Sequence, residues 1–502
     1  MLSLFSIRAS TVRAQQTSAN TPTIRVTSRL VFLDVTVLDK KGRPMVKGLT
    51  KDDFAITDNK KPQRIFSFEA PETHVVDANA TDDNPPLKAP VTIFILDLLN
   101  SKFENFAYIR YMARKYLAAQ PAQLNSPAEL MVLGNKSLEM VQGYTRSKAD
   151  LLYALEHVPP ALPYKEMSGS FIDERFVQSI DALQQIALQN KGVPRRKNIV
   201  WVGHGGPSIY TVSLPTPAAD ALNGYVHDTT NMLVDSRVSL FVIYPGLPVD
   251  GPTLTTSEFG AGTNIGDNDP FSGDINFGVF VNETGGKLFY NRNDINTEIR
   301  ESEELGSKYY TLTYQPPEGD ADGKFRRIRV TLRNPDLRVV TKAGYFSPDK
   351  NAAVGPRQHT MVNLSEAARS TIPFGSLGVT IENLVRHPDT GTADFTVLLS
   401  PRNLDWQSVE DGKSSVDLLL AAASLSGDRS FLASRLESLT VFADSQDATQ
   451  LARTGARREM TIRIPRKTQS LRVVIQTSDN RRTGTVELDR KTIDSAPATP
   501  TP

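Results

Sequence analysis

Hydrophobic and polar residues alternate along the first patterned stretch of the chain. Over residues 24–68, apolar residues rich in Val, Ile and Phe occupy every second position in several short runs. Such alternation predicts strands that bury one face. The segments KKGRP (40–44) and TDNKKP (57–62) interrupt these runs and are typical of hairpin turns. We therefore predict a small β-module over residues 24–76, followed by a polar, proline-bearing linker at 77–90.

The pattern changes after the linker. Four continuous apolar runs alternate with segments whose apolar residues recur at helical spacing. Continuous apolar runs are expected of strands that helices cover on both faces of a parallel sheet. A last short unit, TGGKLFY followed by DINTEIRESEEL, closes this part of the chain. Repeated βα units predict a doubly wound α/β domain over residues 91–305. Its predicted core strands are VTIFILD (91–97), AELMVLG (128–134), KNIVWVG (197–203) and VSLFVIY (238–244).

The remaining patterns predict further β-structure around this domain. Residues 250–278 are rich in Gly, Asn, Asp, Ser and Thr, which predicts a long surface loop near the C-terminal edge of the sheet. Strand patterns return at 308–347, so we predict that this segment and residues 24–76 form one β-sandwich into which the α/β domain is inserted. Regularly spaced strand patterns predict a second sandwich at 360–490. Residues 491–502, which end in SAPATPTP, are predicted to be disordered.

Composition excludes several classes of function. The 57 Lys and Arg residues balance 56 Asp and Glu residues, so no global field attracts nucleic acid or an anionic membrane. The lack of cysteine excludes disulfides, thiolate nucleophiles and cysteine-ligated zinc. No apolar stretch reaches the roughly 18 residues of a transmembrane helix. Residues 1–23 combine a short apolar stretch with small residues and no acidic residue, so we interpret them as a signal remnant or a disordered N-terminus.

The first strand of the predicted α/β domain ends on an aspartate at a position that commonly binds ligands. Ligands of doubly wound sheets bind outside the carboxyl ends of the strands, and here Asp97, Asn100 and Ser101 follow the first strand. This strand and aspartate resemble the von Willebrand factor A domain. The metal-ion-dependent adhesion site of that family has Asp-x-Ser-x-Ser on this loop, a Thr on a later loop and an Asp after the strand that here is KNIVWVG. The resemblance implies Asp97 and Ser101 as ligands of Mg²⁺ or Ca²⁺.

The chain departs from the family pattern at three places. Leu99 stands where the family has its first Ser, and the loop expected to supply the Thr offers only Ser168 or Ser170. In the segment GHGG, His204 replaces the acidic ligand. Mg²⁺ and Ca²⁺ prefer oxygen ligands, so these replacements predict a degenerate site and no bound cofactor. The aspartate and asparagine of the first loop are instead predicted to cap the next helix or to brace the loop.

A wider resemblance covers roughly residues 24–347. The segment from VTSRLVF to RIFSFE, the DxxNS form that begins at Asp97, and the segment from TGGKLFY to TKAGYF together resemble the acidobacterial VWFA-related proteins. This resemblance implies an exported protein with a degenerate A domain. It implies an architecture and assigns no activity.

Two classes of function are compatible with the sequence. A hydrolase could use Ser101 as nucleophile and His204 as base, because both follow strands at one edge of the sheet. However, no third aligning group and no HExxH, GxSxG, Walker A or GxGxxG motif accompanies them. We therefore predict a non-catalytic, exported protein, periplasmic or extracellular, that binds a protein or cell-surface ligand as an adhesion or scaffold protein. Metal-dependent adhesion is the second alternative.

Overall fold

The fold is that of a computed structural model, which describes most of the chain. The described residues are 30–76, 89–101, 103–158, 170–211, 214–245, 269–271, 274–292, 294–316, 321–349, 356–400, 404, 406–408, 414–443, 455–479 and 482–499. Within these residues the chain is a mixed α/β protein with several sheets. In the same residues, no helix combines the length and apolar character that crossing a membrane requires.

The secondary-structure elements of the described residues are numbered in chain order. The strands are β1 Val31–Leu38, β2 Phe54–Asp58, β3 Lys61–Gln63, β4 Ile65–Glu69, β5 Val91–Asp97, β6 Gln123–Leu133, β7 Leu138–Ser147, β8 Lys197–Val202, β9 Ile209–Tyr210, β10 Val238–Pro245, β11 Asp274–Ile275, β12 Lys287–Arg292, β13 Tyr310–Tyr314, β14 Phe325–Leu332, β15 Arg338–Val340, β16 Gly344–Phe346, β17 Val379–His387, β18 Thr392–Leu399, β19 Gln407–Ser408, β20 Ser414–Leu425, β21 Phe431–Ala443, β22 Ala456–Arg463, β23 Ser470–Thr477 and β24 Thr483–Asp489. The helices are α1 Phe103–Ala118, α2 Lys148–Glu156, α3 Ser170–Asn190, α4 Thr216–Asp235, α5 Phe277–Glu283, α6 Ile295–Ser307, α7 Pro356–Arg369 and α8 Arg490–Ser495.

A six-stranded sheet forms the centre of the α/β part. Its order is β12-β10-β8-β5-β6-β7, and every pair is parallel except β6 with β7. Every residue of β5, β8 and β10 is buried, because helices cover both faces of the sheet. One face packs on α1, α2 and α6, and the other packs on α3, α4 and α5. The chain moves outward from β5 to β7 and then returns to place β8 on the other side of β5. The reversal point therefore lies between β5 and β8.

The strands before and after this sheet pair with each other. Strand β1 pairs with β13 and β15, and β13 pairs with β4. In a second sheet, β14 pairs with β2 and β16, and β2 pairs with β3. Apolar side chains of both sheets share one core. The two segments therefore form one two-sheet unit, and the α/β part is inserted between β4 and β13.

The C-terminal part consists of antiparallel strands and a helix that joins them to the α/β part. Strand β18 lies between β17 and β22, and a larger sheet contains β21, β20, β23 and β24, with β19 beside β20. These strands enclose their own apolar core. Helix α7 packs its residues Leu364, Ala367 and Ala368 into the core that α3 and α4 also line.

The structure corrects three expectations about segments of low apolar content. Residues 274–278, placed in the predicted loop, form β11 and begin α5, because the side chain of Asn276 accepts a hydrogen bond from the Val279 N–H (3.2 Å) and caps this helix. The start of the predicted second sandwich, residues 360–369, is helical. The tail predicted to be disordered contains most of α8, whose Ile493 is fully buried.

Candidate functional site

The carboxylate of Asp97 lies at the reversal point of the sheet and is saturated with hydrogen bonds. It ends β5 and is fully buried. Oδ1 accepts from the Asn100 backbone N–H (2.9 Å) and from Asn100 Nδ2 (3.1 Å). Oδ2 accepts from the Trp201 indole N–H (3.0 Å), from the Gly205 N–H (3.0 Å) and from Asn100 Nδ2 (3.1 Å). Both oxygens are therefore occupied by donors from three segments of the chain.

Asn100 connects this carboxylate to helix α3. Its Oδ1 accepts a hydrogen bond from Arg175 Nε (3.0 Å), and its Nδ2 also donates to Ser179 Oγ (3.0 Å). The Arg175 N–H is only a donor, so the amide oxygen must face the arginine and the amide N–H groups must face Asp97. The buried guanidinium of Arg175 thus places a positive charge one side chain away from the carboxylate.

The turn after β8 comes unusually close to Asp97. Gly203 has φ +150°, and a Cβ atom on it would lie 2.4 Å from Asp97 Cβ. Gly205 has φ +70°, and a Cβ on it would lie 2.7 Å from the Phe277 ring. Both conformations and both close approaches require glycine. The glycines of GHGG therefore let the turn approach near enough for the Gly205 N–H to bind the carboxylate.

Burial and hydrogen bonding oppose each other in setting the pKa of Asp97. Burial raises the pKa of this carboxyl above its ordinary value, while hydrogen bonds from Trp201, Asn100 and Gly205 act in the opposite direction. The net shift is upward, so burial outweighs the donors. The site holds a desolvated carboxyl group whose partners are N–H groups of the protein.

The other residues named from the sequence lie around this carboxylate without completing a ligand set. Leu99 is buried in the apolar core shared by α3 and α4. Ser101 Oγ is buried and has no hydrogen-bond partner among the described residues. The ring of His204 packs edge-on against Tyr244, with ring centroids 4.2 Å apart. The structure therefore does not join Ser101 and His204 in the hydrogen bond that a serine nucleophile and its base would share.

One predicted residue, Ser170, and three residues that were not predicted lie on α3 or β8. Ser168 lies outside the described residues, and Ser170 is the first residue of α3. Trp201, Arg175 and Ser179, which hold Asp97 directly or through Asn100, were not recognised from the sequence. Trp201 lies in a strand that the sequence predicts, but its apolar character gave no sign that its N–H would bind Asp97. Arg175 lies one residue before the predicted helix.

The donor set does not fit a divalent cation. Mg²⁺ and Ca²⁺ require oxygen lone pairs directed at the ion, and those of Asp97 are directed at N–H groups. The nearby guanidinium of Arg175 would also repel a cation. Over the described residues, no group of three or more His, Asp or Glu side chains has an arrangement that could hold a metal ion.

Comparisons with known proteins give only distant similarity. No protein-family model matches the chain, and a search of curated proteins finds no relative. Similar solved structures include the SpRpn10 VWA domain (16% identity, TM-score 0.20, 32% of this chain and 76% of that chain). They also include the human COPII-coat protein Sec24c (10%, 0.24, 53% and 45%) and the manganese-loaded TRAP protein of Plasmodium vivax (8%, 0.24, 70% and 94%). These TM-scores are too low to carry an argument, so the doubly wound arrangement rests on the strand order.

Proposed function

We propose that this chain is a non-catalytic protein-interaction module whose α/β part is a von Willebrand factor A-like domain with a degenerate metal site. The observation that carries the proposal is the closed hydrogen-bond shell of Asp97. Doubly wound sheets bind ligands at the reversal point of the strand order. At that point, N–H groups of Asn100, Trp201 and Gly205 surround the carboxylate. The residue that would hold an ion in the resembling family here holds the loops together.

We expect the protein to bind its partner without a bound Mg²⁺ or Ca²⁺ ion. A cation would have to displace the Trp201 and Gly205 N–H groups from Asp97 Oδ2 and leave them buried without partners. A buried donor that loses its partner costs about 1–3 kcal/mol. This cost opposes metal binding and favours a loop brace over metal-dependent adhesion.

The proposal also favours binding over hydrolysis. Ser101 would need an activating base within hydrogen-bond distance, and its Oγ makes no such bond within the described part of the chain. The expected partner is a protein or a cell-surface ligand. The N-terminal segment 1–23 and the wider family resemblance support an exported, periplasmic or extracellular location.

Capture of a partner in two ionic conditions tests this function. The purified full-length chain is immobilised and incubated with an envelope extract of its source cell, once with EDTA and once with about 10 mM Mg²⁺. Captured proteins are identified, produced separately and titrated against the chain. We expect the same partner and the same affinity in both buffers. Capture that requires Mg²⁺ would instead support metal-dependent adhesion.

A parallel activity panel tests the hydrolase alternative. The chain is assayed with esterase, protease and phosphatase substrates beside its Ser101→Ala and His204→Ala variants. We expect no turnover above buffer. Turnover by the wild type that both variants lose would show that the two residues act together and would overturn the binding-module assignment.

A further inference from the structure

The last described residues of the chain lie along the edge of strand β17 that faces away from β18. Residues 496–499, called the strap below, follow α8 and form a parallel bridge between Ala498 and Arg386. The Arg386 N–H donates to the Pro497 carbonyl (2.8 Å), and the Thr499 N–H donates to the Arg386 carbonyl (2.9 Å). The Arg386 side chain also donates through Nε to the Ala496 carbonyl (3.2 Å). The strap therefore pairs with β17 as a short added strand.

Backbone hydrogen bonds hold the strap, whereas its side chains pack little. Pro497, Ala498 and Thr499 are exposed. Just before the strap, Ile493 of α8 is fully buried in the core of the C-terminal strands and fixes its base. A hydrogen bond contributes only about 0.5–1.5 kcal/mol net, and a segment without buried apolar contacts opens at a low free energy. One further interaction can therefore decide whether the strap is docked.

His387 supplies this interaction. Its buried ring lies between two acceptors: Nδ1 is 3.0 Å from the Thr499 carbonyl oxygen, and Nε2 is 2.9 Å from Asp394 Oδ2. A carbonyl and a carboxylate have no hydrogen to donate, so each ring nitrogen must carry its own. The geometry thus fits the doubly protonated, positively charged ring, which joins the strap to β18.

The Asp394 carboxyl stays ionised in this arrangement. Its Oδ1 accepts a hydrogen bond from the Thr461 hydroxyl of β22 (2.6 Å). The hydrogen bond from Thr461, together with the hydrogen bond and charge of His387, holds the pKa of Asp394 below its ordinary value despite the opposing effect of burial. At pH 5 and above, which is about one unit over the ordinary value, Asp394 therefore does not carry a proton that it could donate to the ring.

The other charged groups around His387 do not titrate in the same range. Arg386 binds the strap and lies 3.7 Å from the Asp494 carboxylate of α8. Asp389 is exposed in the turn after β17, and Arg463 of β22 lies opposite the strand that follows this turn. Guanidinium groups and exposed carboxylates keep their charges between about pH 5 and 8, whereas histidine ordinarily changes its charge there. The ring of His387 is therefore the group that senses pH at this edge.

Loss of one ring proton removes the bond to the strap. A hydrogen bond to a charged acceptor is roughly twice as strong as one between neutral groups, so the remaining N–H stays on Nε2 and donates to Asp394. Nδ1 then presents a lone pair to the Thr499 carbonyl oxygen, and two acceptors face each other. The neutral ring thus no longer binds the strap.

We infer that the strap is a proton-controlled switch, docked on β17 while His387 carries both ring protons and released when the ring loses one. The docked state binds this proton more tightly than the released state, so docking is favoured at low pH and weakens as the pH rises. Release frees the Arg386 N–H and carbonyl, and an open strand edge is a template for pairing with another extended segment. The switch is independent of the interaction function proposed above.

The mobility of a spin label on the strap tests the switch. The chain has no cysteine, so Thr499→Cys introduces a single thiol for a nitroxide label. The Thr499 side chain is exposed, and its described contacts use backbone atoms. Electron paramagnetic resonance spectra of the full-length chain are recorded between about pH 5 and 8.5 and separated into immobile and mobile components. The same label at Tyr111→Cys, exposed on α1, reports any effect of pH on the label itself.

We expect the ratio of mobile to immobile label at position 499 to increase at least about tenfold as the pH rises, with no change at position 111. His387→Gln should abolish this pH dependence. Asp394→Asn should keep the strap docked at both pH values, because the amide N–H donates to the neutral Nε2 and the ring proton remains on Nδ1. The matched control His157→Gln, at an exposed histidine after α2, should titrate like the parent. Circular dichroism melting curves establish that each variant is folded.

Three outcomes would overturn the inference. The first is a label at position 499 whose mobility is the same throughout the pH range, and the second is a titration that persists in His387→Gln. The third is release of the strap at high pH in Asp394→Asn to the same extent as in the parent. If His387→Gln does not fold, the Asp394→Asn variant decides: a strap docked at both pH values supports the switch, and release at high pH contradicts it.

Discussion

Replacing Asp97 by asparagine separates a hydrogen-bonded loop brace from a metal site. An amide keeps one oxygen and presents N–H groups in place of the other. If those N–H groups take the position of Oδ2, they face the Trp201 and Gly205 donors. If the amide is rotated, they face the two donors of Asn100. The first orientation leaves two buried donors without an acceptor. The rotated one leaves only the Asn100 backbone N–H, because Asn100 Nδ2 can still donate to the oxygen at the Oδ2 position and to Ser179 Oγ. At about 1–3 kcal/mol for each lost acceptor, Asp97→Asn should cost at least about 1–3 kcal/mol of unfolding free energy.

Fluorescence provides a local assay for this loss. The chain has two tryptophans, so a Trp406→Phe background leaves Trp201, in the core of the α/β part, as the sole indole. Urea unfolding of this background and its Asp97→Asn derivative is followed in EDTA and in about 10 mM Mg²⁺. The expected loss is the same in both buffers. Replacement of the exposed Asp52 by asparagine is the control and should change stability by less than about 0.5 kcal/mol.

A metal site would give a different pattern. An ion bound with Kd of about 1 mM would stabilise the folded chain by about 1.4 kcal/mol at about 10 mM. The loop-brace explanation is refuted if the Asp97→Asn derivative is as stable as its parent in EDTA and the parent alone gains stability in Mg²⁺. Metal-dependent adhesion would then become the leading mechanism.

Two further predictions concern the packing and ionisation of the same domain. Gly203→Ala should lower the free energy of unfolding by about 3 kcal/mol, because its Cβ would meet Asp97. The control is Gly224→Ala in α4, which has open space around it and should raise the free energy of unfolding by about 0.5–1 kcal/mol. Urea midpoints measure both changes, and equal effects would contradict the close approach of Gly203 to Asp97. Burial raises the pKa of Glu129 to about 8, so the folded state binds its proton more tightly than the unfolded state; the resulting stability is full below the unfolded pKa of about 4.5 and is lost as pH rises through about 8. Glu129→Gln should therefore reduce the fall in stability between about pH 5 and 9, measured by urea unfolding at each pH, and an unchanged fall would show that other groups cause it.

The sequence predicted the elements whose burial is complete and uniform. Strands β5, β8 and β10 are buried along their whole length, and their continuous apolar runs indicate this directly. Strand β7 was missed because it is a partly buried, antiparallel edge strand with mixed polar and apolar residues. Helix α7 was missed because few of its residues are large and apolar. Its buried side, Leu364, Ala367 and Ala368, is covered by another part of the chain.

The sequence predicted where the candidate site lies but not all of the residues that form it. Asp97 and Asn100 were identified because they lie at the end of the first core strand, at the edge where doubly wound sheets bind their ligands. Trp201 and Arg175 were not identified, because their roles depend on where the indole N–H and the guanidinium group lie in the folded chain. An apolar strand and a helical spacing report which face of an element is buried. They carry no information about which distant polar group the end of a side chain contacts.

The inserted arrangement makes a prediction about the fragment of residues 24–90. Among the described strands of this fragment, only β2 and β3 pair with each other, while β1 and β4 pair with β13 or β15, which follow the α/β part. An isolated two-stranded hairpin is marginally stable at best in water. The fragment also carries Asp34, which is half-buried and forms an ion pair with Arg237 of the α/β part.

The fragment of residues 24–90 should therefore be unfolded, with amide resonances in the narrow range of a random coil in a proton–nitrogen correlation spectrum. Joining it through a flexible Gly/Ser linker to residues 308–347 supplies β13 to β16 and completes both sheets, so this chimera should regain dispersed resonances. Neither chain contains the α/β part, so a difference between the two spectra is due to the presence or absence of β13 to β16. A dispersed spectrum from the 24–90 fragment alone would show that its strands pair without the later segment, and the inserted arrangement would then not be needed for its folding.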